Sequence, residues 1–206
     1  MKKIAFALAA VCGMALVLSA GTTYTWKGPT SGNAVWNNAD NWNPSTGIPN
    51  AGDTAMFTGE MNVSLTDNIA LNDGTLTIQT SISGKTLVHL TGVISGSGGI
   101  CKKGDGNVYL DNTANTYSGQ TTIAGPWNSQ LYAANIKNIG EPSSLGQPTA
   151  ANAALNFPDG NGAKLTINTA STFSTDRPFS GKYPYVCILQ NGTLNCNGHV
   201  SGTSVG

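Results

Sequence analysis

The chain has 206 residues, 26 of them glycine, and only 10% are charged. Its formal charge is zero, and without Lys2 and Lys3 eight basic and ten acidic residues remain, a balance of −2. That argues against nucleic acid or an anionic membrane surface as partner, and the absence of sustained i, i+3, i+4 apolar spacing argues against a helical fold.

Residues 1–20 read as a signal peptide. Lys2 and Lys3 supply the positive start, Ile4 to Leu18 the apolar run, and Leu18-Ser19-Ala20 the cleavage site. Ala9-Ala10-Val11-Cys12 is a poor lipoprotein site, because the residue before the cysteine should be small. No second apolar span follows, so no integral membrane segment is expected after cleavage. The mature chain is expected in the periplasm, on the cell surface or outside the cell. Its 186 residues are enough for one sizeable core.

Residues 21–59 hold three of the four tryptophans, Trp26, Trp36 and Trp42, among many asparagines. Two roles fit. The rings could seal the open edge and apolar end of a stack of strands, as a cap. They could instead stack on sugars while asparagine amides bond the hydroxyls. Residues 60–91 hold three short strands, Asn62 to Leu65, Thr75 to Gln79 and Thr86 to Thr91, about eleven residues apart and separated by tight turns. His89 is a lone histidine in the third, expected at the surface rather than as a ligand or base.

Residues 92–126 organise the chain. Eight glycines punctuate short alternating runs such as Val108-Tyr109-Leu110, which is the grammar of a β-solenoid coil. Gly96-Ser97-Gly98-Gly99-Ile100 leads to Lys102-Lys103-Gly104-Asp105-Gly106. An alternating strand follows, then Asn115-Thr116-Tyr117-Ser118-Gly119-Gln120-Thr121 and a second strand at Thr122-Ile123. This stretch resembles the autotransporter-associated β-strand repeat of secreted bacterial surface proteins. It departs from the pattern at Cys101, where a small polar residue is usual, and at Pro126-Trp127. The resemblance implies a right-handed parallel β-helix or a close relative, and it implies no catalytic residues. The segment from Asn38 to Phe57 resembles the one that opens such proteins.

Further on, Ser143-Ser144-Leu145-Gly146 resembles the loop that follows this repeat, and Arg177-Pro178 a pair that precedes the next. Asp159-Gly160-Asn161-Gly162 is a turn, too short for a calcium loop. Leu155 to Phe157 and Lys164 to Asn168 read as strands. Gly198 to Gly202 repeats Gly92 to Gly96 at an offset of 106, so 198–206 reads as the opening of a second repeat. The abrupt ending favours a fragment of a longer reading frame over a short secreted protein. An uncapped last coil would favour self-association through its open end.

Cys12 leaves with the leader, while Cys101, Cys187 and Cys196 remain. Asn191-Gly192 is a strong hairpin signal. A two-residue turn there sets Cys187 opposite Cys196 in a non-hydrogen-bonded pair, within reach of a disulfide. The alternative is a corner between parallel strands, with the thiols apart.

Catalysis by a β-helix lyase or hydrolase would need carboxylates close together or a metal held by them. The ten mature acids form no close pair in sequence and follow no coil period. A nucleophile elbow, a metal-binding histidine pair and a phosphate loop are absent. Residues 60–206 are therefore expected to form a β-solenoid behind a 21–59 cap, with no catalytic residues, no metal site and no cofactor. The expected role is structural or adhesin-like, with surface glycans or other surface proteins as partners. A glycan-binding module using Trp26, Trp36 and Trp42 is the alternative.

Overall fold

The computed structural model describes residues 21–201, apart from 160, 161, 169, 183, 190–192 and 199. The leader and residues 202–206 lie outside the described residues. The chain winds into a three-sided parallel β-solenoid with almost no helix. The first turn carries Thr23–Trp26 (β1), Ser31–Ala34 (β2) and Trp42–Asn43 (β3). The second carries Thr54–Phe57 (β4), Met61–Leu65 (β5) and Ile69–Leu71 (β6). The third carries Thr75–Thr80 (β7), Thr86–Leu90 (β8) and Ile94–Gly96 (β9). Next come Gly99–Gly104 (β10) and Asn107–Leu110 (β11), then Thr121–Ile123 (β12) and Gln130–Ala133 (β13). Leu155–Phe157 (β14), Lys164–Asn168 (β15) and Thr172–Thr175 (β16) form another turn. Phe179–Gly181 (β17), Tyr185–Leu189 (β18), Thr193–Cys196 (β19) and Val200–Ser201 (β20) follow.

The first side is a nine-stranded sheet running β3-β1-β4-β7-β10-β12-β14-β17-β20. The second is a seven-stranded sheet running β2-β5-β8-β11-β13-β15-β18. The third side holds two short pairs, β6-β9 and β16-β19. All pairings are parallel except β1 with β3. Parallel stacking therefore already starts at Thr23, inside the segment expected to be a cap. One turn takes 20 residues from Leu87 to Asn107 and 25 from Asn62 to Leu87. It takes 34 from Gln130 to Lys164, where a long loop is inserted on the third side. The two segments aligned at the 106-residue offset occupy different sides. Ile94 stacks on Ile69 on the third, and Val200 on Phe179 on the first.

Period-two strands in register turn the apolar positions into columns. On the second side Val63, Val88, Val108, Leu131 and Leu165 lie one above another. Beside them stand Ala34, Leu65, Leu90, Leu110, Ala133 and Ile167, and both columns are buried. Each strand alone could bury only one face against nothing; stacking gives every residue a like neighbour above and below.

Lys102 stands inside this core. It occupies the inward column of the first side between Ile78 and Ile123 and is fully buried. Its ammonium curls to the corner after β10. There it donates to the carbonyls of Lys103 (3.1 Å) and Gly104 (2.6 Å) and to Ser129 Oγ (2.9 Å). Three donors meet three acceptors, which makes its burial tolerable. Gly104 follows at φ +80°, and a Cβ there would lie 2.0 Å from Thr80 O. The Lys-x-Gly-x-Gly pattern is thus a corner: a buried lysine ties the turning carbonyls, and a glycine lets two turns touch.

Two outcomes test this packing. At Gly119 a Cβ would sit 2.4 Å from the Gly98 carbonyl carbon and the Gly99 nitrogen, so Gly119→Ala must push two turns apart. Urea denaturation should show a loss of about 1–3 kcal/mol, the usual cost of overpacking; an unchanged midpoint contradicts the contact. For Lys102, burial pulls the pKa from 10.5 to about 7, opposed by the Asp105 carboxylate. Between those values the unfolded chain binds the extra proton, so this group makes stability rise with pH across the window. The stability of the parent minus that of Lys102→Met should therefore grow from pH 7 to pH 9. A constant or shrinking difference would show the lysine charged throughout.

Candidate functional site

The residues that carry the family resemblance meet on the third side. Asn115 is buried, its Oδ1 accepts from the Ile94 amide (2.8 Å), and its Nδ2 donates to Ser144 O (3.0 Å). The Tyr117 ring is fully buried, its hydroxyl lies 2.8 Å from Thr121 Oγ1, and burial pushes its pKa up to about 12. Gly146 closes on that ring: a Cβ there would be 2.8 Å from it. The Arg177 guanidinium, also buried, donates to Leu145 O (2.8 Å) and Ala153 O (3.0 Å). So Arg177 and the Ser-Ser-Leu-Gly loop, distant in sequence, form one clasp across a turn. Arg177 Nη2 is the exception, buried without a hydrogen-bond partner among the described residues. Asn115, Tyr117, Gly146 and Arg177 each touch backbone or core of an adjacent turn.

The carboxylates are spent the same way. Asp53 accepts from the Thr22 amide (2.8 Å), and Asp67 from the Trp36 and Asn37 amides (both 2.6 Å). Asp159 accepts from the Gly125 amide and Asp176 from the Ile139 amide, both at 2.7 Å. Glu60 pairs with Lys85, Asp73 with Ser97 and Asp111 with His89. All seven acids bridge one turn to the next. Among the described residues no three of His, Cys, Asp or Glu converge as a metal site would require.

The three tryptophans lie inside. Trp26 is 5% exposed and Trp36 and Trp42 are fully buried. Trp42 sits edge-on between the other two, 4.9 Å from each ring centre, and Phe57 packs beneath at 5.6 Å. Their indole N–H groups donate to Pro29 O, Pro49 O and Trp36 O. No broad face is left for a sugar, which corrects the reading of these rings as a stacking platform. Clustered Trp and Asn in sequence do not distinguish the two uses; in the structure the antiparallel β1–β3 pairing folds Trp42 back over Trp26.

Asn191 and Gly192, where a hairpin was expected, lie outside the described residues, and the strands that flank them do not pair with each other. β18 pairs in parallel with β15, setting Cys187 beside Thr166, while β19 pairs with β16, setting Cys196 beside Thr175. The two strands belong to different sides, so the register that would oppose Cys187 to Cys196 is absent, and Cys196 is an exposed free thiol. Both flanking strands stack on a parallel neighbour one turn earlier, as strands of a solenoid do. Cys101 is also free, half-buried on the first side, with burial raising its pKa. Alkylation of the native protein should therefore modify Cys196 well before Cys101, read by peptide mass. Resistance of Cys196 until denaturation would reinstate a bond or a buried strand.

The surface feature that sequence reasoning missed is on the outward face of the second side. His89, Tyr109 and Tyr132 occupy one column. His89 stacks on Tyr109 at 4.1 Å and 9°, and Tyr109 on Tyr132 at 4.4 Å and 13°. Asp111 Oδ2 holds His89 Nδ1 at 2.7 Å. Beside the rings runs a second column, Asn62, Leu87, Asn107, Gln130 and Lys164. Trp127, 56% exposed, lies next to it with Lys164 Nζ 5.0 Å from its ring centre. The histidine looked solitary because its partners come from turns 20 and 43 residues away, a spacing visible only once the coil length is known. At the last described turn a cavity of about 250 Å³ opens among Phe179, Pro184, Val186 and Cys196.

Among known proteins, the chain is 36% identical over 128 residues to the Adhesin BmaC autotransporter of Brucella suis biovar 1 (strain 1330). The match covers 62% of this chain and spans 4% of the length of that protein. No family model and no solved structure matches. The chain is thus similar in sequence to part of an autotransporter adhesin and folds as a β-solenoid.

Proposed function

We propose that this chain is an exported, non-catalytic β-solenoid that serves as a stiff, adhesin-like scaffold at the cell surface. The observation that carries this reading is the use of the acids: seven of the ten after the leader bridge adjacent turns, leaving the stack held together rather than a reactive centre. Similarity to an autotransporter adhesin supports the surface location, and the Lys2-Lys3 and apolar run supports export. Within the scaffold, residues 21–59 act as the cap of the first turn, with Trp42 as its keystone.

Protease added to intact cells that produce the chain should degrade it while sparing a cytosolic marker; protection until the cells are lysed would sink the surface location. For the cap, Trp42→Ala should cost about 3–5 kcal/mol, as for other buried aromatic truncations. It should also raise concentration-dependent association in sedimentation velocity, because the core end is uncovered. A variant that loses stability yet associates no more than the parent would make Trp42 ordinary core.

A further inference from the structure

The outward strip on the second side repeats one pair of chemistries on two successive strands. On β11 an amide, Asn107, is followed two residues on by a tyrosine, Tyr109, and on β13 Gln130 by Tyr132; Asn107 is 7% exposed, and Tyr109, Gln130 and Tyr132 are half-buried. Register sets Asn107 beside Gln130 and Tyr109 beside Tyr132, at a strand spacing of about 4.8 Å. Within each pair the amide meets the phenol: Asn107 Nδ2 lies 3.4 Å from Tyr109 Oη, and Tyr132 Oη donates to Gln130 Oε1 at 2.7 Å. His89 extends the ring column one turn further, and Lys164 ends the amide column.

We propose that this strip binds a neutral polysaccharide whose chain runs along the solenoid axis, successive sugars meeting the successive tyrosines Tyr109 and Tyr132, with Gln130 as the accessible amide and Asn107 holding Tyr109 from beneath. A ligand of repeated units matches a surface of repeated units. Amides and phenols both donate and accept, as sugar hydroxyls do. The rings cover one another's faces, so their edges, the positive part of the ring quadrupole, point outward to electronegative oxygens. The basic side chains nearby are engaged, His89 with Asp111 and Lys164 over Trp127, so no cluster of like charge draws an acidic polymer. An extended peptide would add to a sheet through a free strand edge, but β8, β11 and β13 are paired on both sides. The proposal rests on the surface location only for its biological setting; binding by the purified protein stands apart from it.

Affinity gel electrophoresis of the purified exported chain tests it, with galactomannan, xyloglucan and a mixed-linkage glucan as neutral probes and polygalacturonate and heparin as acidic ones. At least one neutral polymer should retard the parent. Gln130→Ala and Tyr132→Ala should weaken that retardation about tenfold or more, the effect expected of a central contact. Thr77→Ala, on the first side, should not. If Tyr132→Ala fails to fold, Gln130→Ala and Tyr132→Phe carry the comparison, with matched thermal melts as control. No retardation by any neutral polymer, retardation by acidic polymers alone, or variants that bind like the parent would each overturn the proposal. Binding lost while protease still reaches the protein on cells removes the strip and leaves the surface reading; binding by a chain that protease cannot reach does the reverse.

Discussion

The structure depends on one constraint: each turn must deliver the chain to the next strand at the height of its parallel neighbour. Strand amides and carbonyls satisfy one another across the stack, but corner groups lie off the ladders and would be left unpaired in a partly buried setting. Short polar side chains from the adjacent turn fill that gap. Asn50 Oδ1 takes the Asn72 amide, Asn68 Oδ1 the Val93 amide, Asn115 Oδ1 the Ile94 amide and Asp67 two consecutive amides. These contacts span one turn each, so they fix height as well as satisfying the corner. The wealth of Asn, Asp, Thr and Gly is therefore a consequence of coil geometry and not of a ligand.

The same constraint explains the buried cations. A corner exposes carbonyls as well as amides, and carboxylates cannot serve those. Lys102 and Arg177 can. Each enters from an inward position and ends among carbonyl oxygens, Lys102 at Gly104 and Arg177 at Leu145 and Ala153. Neither has a carboxylate partner among its bonds, so each donates to backbone alone or, for Lys102, to backbone and Ser129. Removing either would strand oxygens placed for a donor, which costs more than the bond itself contributes.

Much of this was legible in the residues. Alternation marked the strands, and the glycines of 92–126 marked the corners. Even the inward lysine was within reach, since Ile100 and Lys102 share one face of a period-two strand. What could not be read was anything that needs the coil length. Asp67 and Trp36 are 31 residues apart, Arg177 and Leu145 32, and His89 and Tyr132 are joined only through Tyr109. Local signals erred where stacking outweighed them. Asn191-Gly192 promised a hairpin, but Tyr185–Leu189 and Thr193–Cys196 each found a parallel neighbour one turn earlier. The tryptophans left two readings open: aromatic residues beside asparagines look alike whether they face sugar or seal a core, and their burial shows only with the return of β3 onto β1.

Where a recognition surface can lie then follows by elimination. Inward positions are committed to the columns, and corners to the height of the turns. The outward positions of the strands remain, and the two long sheets use them differently. On the first side Thr23, Thr54, Thr77, Cys101, Thr122, Asn156 and Ser180 form one column of small uncharged residues, uniform from turn to turn. On the second, the column passes from Asn33 and Ser64 to His89, Tyr109 and Tyr132 before returning to Thr166. Stacking alone does not require that change, because small residues serve the same sheet above and below it. Large rings placed in register over three turns, with amides beside two of them, are the departure from uniformity that the fold does not itself demand.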